Sequence, residues 1–394
     1  MHGGGAPVTV APVRVGLDYR PALTNREGIG RYTRELVRGL IDLGFDANLG
    51  LFGYTLAGAR YSRRELGLAG SRAELLRLRL PSRLMPWLLG RLRKGVDDLV
   101  GGAHVYHHTQ YNRLPVREAA EVTTLFDCIY TLDAGYLDPA VAERMTATAR
   151  ALVEGARKVL VPSEFVGAEV VMTFGAYPAK VAVTPLGCDH AVRGLPAAGF
   201  PRPAEPYLLT VTRVDARKNH LRMLEAFELL VREGLPHRWI VAGPPGYAAE
   251  VFERALAESP ARDRVEWRRD VPDGELPRLY AQADLFLFAS LNEGFGLPPL
   301  EAMACGAPVV ASCVTAMPEV LGDAAVLVEP TDSQAIFEAC RQVLIDREFA
   351  HDCVLRGRQR ARKFTWRETA RHTLNAYRTA LEPEPEGAGL RRAL

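Results

Sequence analysis

The chain has 394 residues, 48% hydrophobic and 24% charged, which suffices for two ordinary domains with packed cores. Lys and Arg exceed Asp and Glu by only two, so no global basic field argues for nucleic acid as a partner. Six scattered cysteines without a CxxC pair point to reduced thiols rather than disulfides or zinc, and a start without an export pattern and no run of about 20 apolar residues lead us to expect a cytoplasmic chain with no membrane span.

In chain order, Val13 to Leu17 is a short apolar strand, and Gly30 to Leu43 has helical spacing through Tyr32, Leu36, Leu40 and Ile41. Gly28-Ile29-Gly30 lies in the loop between them, and Asp18 and Arg20 follow the strand directly. Further strand-like runs are Val105-Tyr106, followed by His107-His108, then Val122 to Phe126 and Val159 to Val161, with a helix expected over Ala140 to Ala156. This alternation argues for a parallel sheet. Gly194 to Pro206 is rich in Gly, Pro and Ala and reads as a linker. Beyond it the alternation restarts. Strands are expected at Tyr207 to Thr212, Trp239 to Ala242, Arg264 to Trp267, Ala283 to Ala289, Pro308 to Ala311 and Ala325 to Val328, and helices at Leu221 to Arg232, Ala248 to Glu258 and Leu276 to Gln282. An amphipathic helix covers Trp366 to Tyr377, and the tail from Glu382 has a disordered composition. The expected division is a first α/β domain over 1–190, a linker over 191–206, a second over 207–364, a helix over 365–381 and a disordered tail over 382–394. Ligands of such sheets bind at the strand carboxyl ends, so the site is expected where the two domains face each other.

The most informative stretch is Asn292-Glu293-Gly294-Phe295-Gly296-Leu297-Pro298-Pro299-Leu300-Glu301. Glu293 leaves a buried strand, while Pro298 and Pro299 suit a helix first turn that Gly306 ends. Backbone N–H groups at Gly294 to Leu297, with the helix dipole, make a seat for a phosphate. Two carboxylates beside an anion seat suit a phosphate that carries hydroxyls, because carboxylates accept hydrogen bonds from ribose or sugar O–H groups. A nucleotide sugar meets all three demands. Arg213-Val214-Asp215-Ala216-Arg217-Lys218-Asn219 follows another strand, with Asn219 placed to cap the next helix. Two fixed cations in this turn could hold a diphosphate.

Glu293, Gly294-Phe295-Gly296-Leu297-Pro298, Glu301-Ala302-Met303-Ala304-Cys305-Gly306 and Pro308-Val309-Val310-Ala311-Ser312 resemble the signature block of retaining glycosyltransferases of family 4. The resemblance implies the GT-B fold: two Rossmann-like α/β domains, the final helix returning to the first. It implies transfer of a sugar from a nucleotide-diphosphate donor to a hydroxyl of a glycan, a lipid-linked glycan or a small molecule. Configuration is retained by reaction on one face, with no protein nucleophile. By the same resemblance Glu301 binds the ribose, Glu293 the transferred sugar, and Arg213 and Lys218 the diphosphate, leaving Arg217 at the surface. Gly28 and Gly30 lie against the phosphates, His108 meets the donor sugar, and the base is held near Val271 by backbone atoms, with Arg268 or Arg269 beside it. No Asp-x-Asp metal site is present, so neither metal nor cofactor is expected to be required. Arg217-Lys218-Asn219 is similar to mannosyltransferase-like members and points to GDP-mannose.

The chain departs from the family where a His-Asp pair is common, having Phe126-Asp127. Asp127 remains a candidate acceptor partner, together with Asp18. Residues 60–94 mix Arg60, Arg63, Arg64, Arg72, Arg77, Arg79, Arg83, Arg91, Arg93 and Lys94 with leucines and Trp87. Two readings stay open: peripheral association with anionic lipid at the inner membrane face, or an acceptor-side helical insertion. Two other functions share the fold, nucleotide-sugar epimerase and non-catalytic nucleotide-sugar binding.

Overall fold

The structure, a computed structural model, describes residues 13–25, 28–56, 62–132, 135–196, 199–201 and 203–383. Arg60 and the tail beyond 383 lie outside the described residues. The first sheet contains β1 (Val15–Asp18), β2 (Leu49–Tyr54), β3 (Glu74–Leu78), β4 (Val105–His108), β5 (Ala120–Thr124), β6 (Lys158–Val161) and β7 (Val181–Val183), ordered β3-β2-β1-β4-β5-β6-β7. The second contains β8 (Tyr207–Val211), β9 (Arg238–Ala242), β10 (Val265–Arg268), β11 (Leu285–Phe288), β12 (Val309–Ser312) and β13 (Val326–Val328), ordered β10-β9-β8-β11-β12-β13. β1 pairs in parallel with β2 and β4, as does β8 with β9 and β11.

Both orders reverse direction in the sheet at one point, between β1 and β4 and between β8 and β11. Such a switch point opens a crevice at the carboxyl ends of the two strands, because the helices that follow them leave on opposite faces. Asp18 ends β1 and His108 ends β4; the Arg213–Asn219 loop follows β8 and the Asn292–Gly296 loop follows β11. Asp18, His108, Arg213, Lys218 and Glu293 therefore lie at the switch points, whereas Asp127 follows β5 and Val271 follows the edge strand β10.

The chain divides into two compact units, residues 1–124 with 152–159 and 373–394, and residues 125–151 with 160–372. The first unit packs Phe52, Tyr54, Met85, Leu89 and Tyr106 into one apolar cluster. The end of the final helix, Trp366–Ala380, belongs to this unit and contributes Tyr377, whose hydroxyl lies 2.7 Å from His107 Nδ1. His107 Nε2 is 2.7 Å from Thr124 Oγ1, which also meets the Tyr32 hydroxyl at 2.9 Å. Burial pushes the His107 imidazole down to about 3, so the ring is neutral. The second unit is built on Trp239, Phe227 and Phe252, all fully buried, each contributing about 1.5–3 kcal/mol by leaving water. The Trp239 indole N–H is satisfied by Thr210 Oγ1 at 3.0 Å.

β2, β3 and β7 are absent from the expected elements. Glycines in Leu49-Gly50-Leu51-Phe52-Gly53-Tyr54 break the strand pattern, yet a Cβ on Gly50 would sit 2.7 Å from the Val100 side chain. β3 corrects the reading of 60–94 as helical: Glu74–Leu78 is the edge strand of the sheet, and only Met85–Leu92 beyond it is a helix of any length. Among the described residues no helix is long and apolar enough to cross a membrane. All six cysteines are free, five of them buried.

Candidate functional site

In the second unit the apolar strand β11 delivers its chain to Ser290, Asn292 and Glu293, all buried. Glu293 Oε1 is gripped by the Lys218 ammonium, and Glu293 Oε2 lies 3.2 Å from Arg217 Nη1. The Arg217 guanidinium also donates to Asn292 O at 3.0 Å. Arg217, expected at the surface, thus turns inward, while Arg213 is exposed and, among the described residues, reaches Pro245 O at 3.3 Å. The reason is the 3-10 turn Ala216–Lys218, closed by Asn219 in the left-handed conformation at φ 64°. The expected side-chain cap by Asn219 is also corrected. Its Nδ2 instead donates to Ala289 O at 2.8 Å and Pro330 O at 2.7 Å, pinning the loop to the ends of its neighbours.

Burial alone would raise the Glu293 carboxyl, but the charges of Lys218 and Arg217 outweigh it and hold it below its ordinary range. Burial likewise lowers Lys218, against the attraction of Glu293. Asp127 joins the cluster electrostatically: burial raises it, Arg217 opposes the rise and Glu293 adds to it. An ammonium has three N–H bonds, so the contact with Glu293 leaves Lys218 capacity for a further acceptor.

Gly294 and Gly296 shape the next turn. A Cβ on Gly294 would fall 1.8 Å from Phe126 O, and Gly296 takes φ 89°, where a side chain would also meet Met317 Cε at 2.3 Å. Ser163 Oγ donates to Gly294 O at 2.7 Å and accepts from Val166 N, capping the helix Glu164–Phe174. Phe295 is buried against Phe364, their rings 5.8 Å apart. The helix Leu297–Cys305 then begins, with Gly306 closing it at φ 93°. Among the described residues the N–H groups of Gly294 to Leu297 make no hydrogen bond within the protein. Behind them Glu301 is 2% exposed; Oε1 lies 2.8 Å from His190 Nε2, and Oε2 accepts from the Tyr280 hydroxyl at 2.7 Å.

Val271 is half-buried just past the carboxyl end of β10. Its neighbours Arg268 and Arg269 are committed to Glu266 and Glu275, and to Glu253. Arg217, Ser163, His190, Tyr280 and Thr315, whose Oγ1 accepts from Glu293 N at 3.2 Å, were not anticipated. Thr315 carries no local signal; its left-handed φ of 57° appears only in the fold.

The first unit gathers a separate set. Asp18 is fully buried, accepting from Gln110 Nε2 at 2.8 Å and from Arg20 N at 3.1 Å. Burial raises its carboxyl, opposed by the Gln110 hydrogen bond. His108 is buried with Nε2 3.0 Å from Glu121 Oε2, and Arg113 grips the same carboxylate through Nε at 3.0 Å and Nη2 at 2.6 Å. Among the described residues His108 Nδ1 has no hydrogen-bond partner. Gly28, at φ 51°, precedes the helix Ile29–Asp42, and a Cβ on Gly30 would fall 2.0 Å from Asn25 O. Among the described residues no group of three His, Cys, Asp or Glu side chains is placed to hold a metal ion.

Comparison with known proteins matches residues 27–187 to a glycosyl transferase 4-like domain and residues 197–360 to glycosyl transferases group 1. The chain is 33% identical over 285 residues to O-antigen chain mannosyltransferase B of Escherichia coli, covering 70% of this chain and 74% of that protein. It is 33% identical over 186 residues to the serotype-specific mannosyltransferase WbdA of Escherichia coli, but that match spans only 23% of the relative. In fold it resembles sucrose-phosphate synthase from Thermosynechococcus elongatus, with TM-score 0.70, 20% identity, and 93% and 98% of the two chains covered. It also resembles Anabaena Alr3699/HepE in complex with UDP and glucose, with TM-score 0.68, 15% identity, and 93% and 100% covered.

Proposed function

Because the chain belongs to the family-4 glycosyltransferases and has their GT-B fold, we propose that it transfers a hexose from a nucleotide-diphosphate donor to an acceptor hydroxyl with retention. The observation that carries this reading is the order of groups after β11: Glu293 with its two cations, the unpartnered N–H groups of Gly294 to Leu297, and the buried carboxylate of Glu301. That order suits the sugar, diphosphate and ribose of one donor. Lys218, Arg213 and the helix start meet the charge that develops as the C1–oxygen bond to the diphosphate breaks. The acceptor oxygen bonds to C1 on the same face, and its proton passes to the departing phosphate oxygen. On this reading the protein's own cations do the work and no metal is required. On this reading Asp127, an electrostatic neighbour of Arg217 and Glu293, accepts from the acceptor hydroxyl.

The relatives named as mannosyltransferases support mannose as the transferred sugar and an O-antigen-like polysaccharide as product, and the likeness of Arg217-Lys218-Asn219 to mannosyltransferase-like members favours GDP as its carrier. The basic segment supports an acceptor carried on a membrane. Arg77, Arg79, Arg83, Arg91, Arg93 and Lys94 are exposed and make no ion pair among the described residues, and Leu84, Trp87 and Leu92 are 45%, 64% and 51% exposed. Unpaired cations around exposed apolar tips suit an anionic lipid surface.

Thermal-shift measurement against GDP-mannose, UDP-glucose and dTDP-glucose, each with EDTA, tests the reading. A bound donor stabilises by mass action, about 2.7 kcal/mol at a hundred times its dissociation constant. A shift with one of them is expected; none with any would contradict the assignment.

A further inference from the structure

Glu301 is held by groups whose protonation the fold dictates. His190 Nδ1 lies 2.9 Å from Trp366 Nε1, while Nε2 faces Glu301 Oε1. An indole N–H can only donate. His190 Nδ1 must therefore present its lone pair, and the ring hydrogen sits on Nε2, where it donates to Glu301.

Trp366 is itself fixed. Its backbone N–H donates to Asp189 Oδ1 at 2.8 Å, the Cys188 N–H donates to Phe364 O at 3.0 Å, and Thr369 Oγ1 donates to Pro185 O at 2.7 Å. A Cβ on Gly187 would fall 2.1 Å from Trp366 N, so the 185–190 segment lies directly on the start of the final helix.

We propose that Trp366, acting through His190, is a positioning residue for the donor-binding carboxylate of Glu301, so that the first residue of the final helix sets how tightly the nucleotide is held. The proposal rests on the reading of Glu301 as the ribose ligand. Without the indole N–H the ring is free to move its hydrogen to Nδ1. The Nε2–H bond to Glu301 Oε1 would then no longer be held in place, and the carboxylate would lose one of the contacts that aim it.

The test uses the full chain with GDP and UDP as calorimetric probes, following whichever binds the wild type. Glu301→Ala should weaken binding by about tenfold or more. Trp366→Phe, which keeps an aromatic ring, should weaken it roughly three- to tenfold, raise the donor KM and leave kcat within about twofold. The double variant should bind no worse than Glu301→Ala alone, because both act on one contact. Imidazole nitrogen NMR of the wild type, with the His190 signal assigned by its loss in His190→Gln, should show Nδ1 bare and Nε2 protonated. A wild-type ring with its hydrogen on Nδ1 overturns the proposal whatever the variants do. Unchanged binding by Glu301→Ala removes the ribose reading and the proposal with it. Weakened binding by Glu301→Ala together with wild-type binding by Trp366→Phe, or additive losses in the double variant, removes the proposal alone.

Discussion

Arg217 Nη1 lies 3.2 Å from Glu293 Oε2, on a carboxylate whose other oxygen is taken by Lys218. The acid expected to meet the transferred sugar is thus the centre of a buried charge cluster that also contains Asp127.

Breaking such a pair from one side leaves an uncompensated buried charge. Glu293→Met, which strands two cations, should lower the free energy of unfolding by about 3–5 kcal/mol and Lys218→Met, which leaves Glu293 with Arg217, by less, whereas the double variant, with Arg217 left facing Asp127, should recover part of the larger loss. Transfer should be absent from all three. Denaturant unfolding beside a transfer assay reads both; an active double variant would contradict the site.

How much of this was legible in the sequence follows from distance along the chain. The β11 strand, its glycine turn and the helix with two prolines are local, and they were placed to within a residue or two. Which arginine turns inward was not, because Arg213 and Arg217 share a loop and only the left-handed Asn219, tied to Ala289 and Pro330, rotates the second toward Glu293. His190 and Tyr280 had no local signal for the same reason. Their shared partner Glu301 lies 111 positions from one and 21 from the other. β3 failed differently: Glu74-Leu75-Leu76-Arg77-Leu78 carries no clean alternation, since an edge strand is only half covered.

The glycine turn offers a backbone test. Gly294→Ala puts a methyl 1.8 Å from Phe126 O, so the loop must move by about an ångström. Displacement of that size at a reacting centre costs on the order of 100-fold in rate. Steady-state kinetics on the folded variant should show it, and wild-type rates would mean that Gly294 is remote from the chemistry.

His220 gives a pH signature. Among the described residues neither of its buried ring nitrogens has a hydrogen-bond partner, and burial, with Lys218 nearby, pushes the imidazole down to about 3. The unfolded ring titrates near 6.5, so between about pH 6.5 and 3 the unfolded state binds the extra proton. Its contribution is complete above that window and falls as the pH drops through it, by up to about 1.4 kcal/mol per pH unit. His220→Leu should flatten the stability profile by that slope relative to wild type; parallel profiles would place a solvated histidine there.

Vesicle sedimentation tests the basic face. Binding to vesicles with 30% anionic lipid should fall on the order of 100-fold when Arg79, Arg83 and Arg91 become Gln, at about 1 kcal/mol for each charge near the surface. Trp87→Ser should weaken it further, and raised salt should mimic the arginine changes. Equal binding to neutral and anionic vesicles would leave 77–94 for another role.

The linkage made by the enzyme tests the central claim most directly. With GDP-α-mannose and an acceptor alcohol, proton and carbon NMR of the product should show an α-linked mannoside from the wild type and none from Glu293→Gln. A β-linked product, or an epimerised nucleotide sugar released without transfer, would contradict the account.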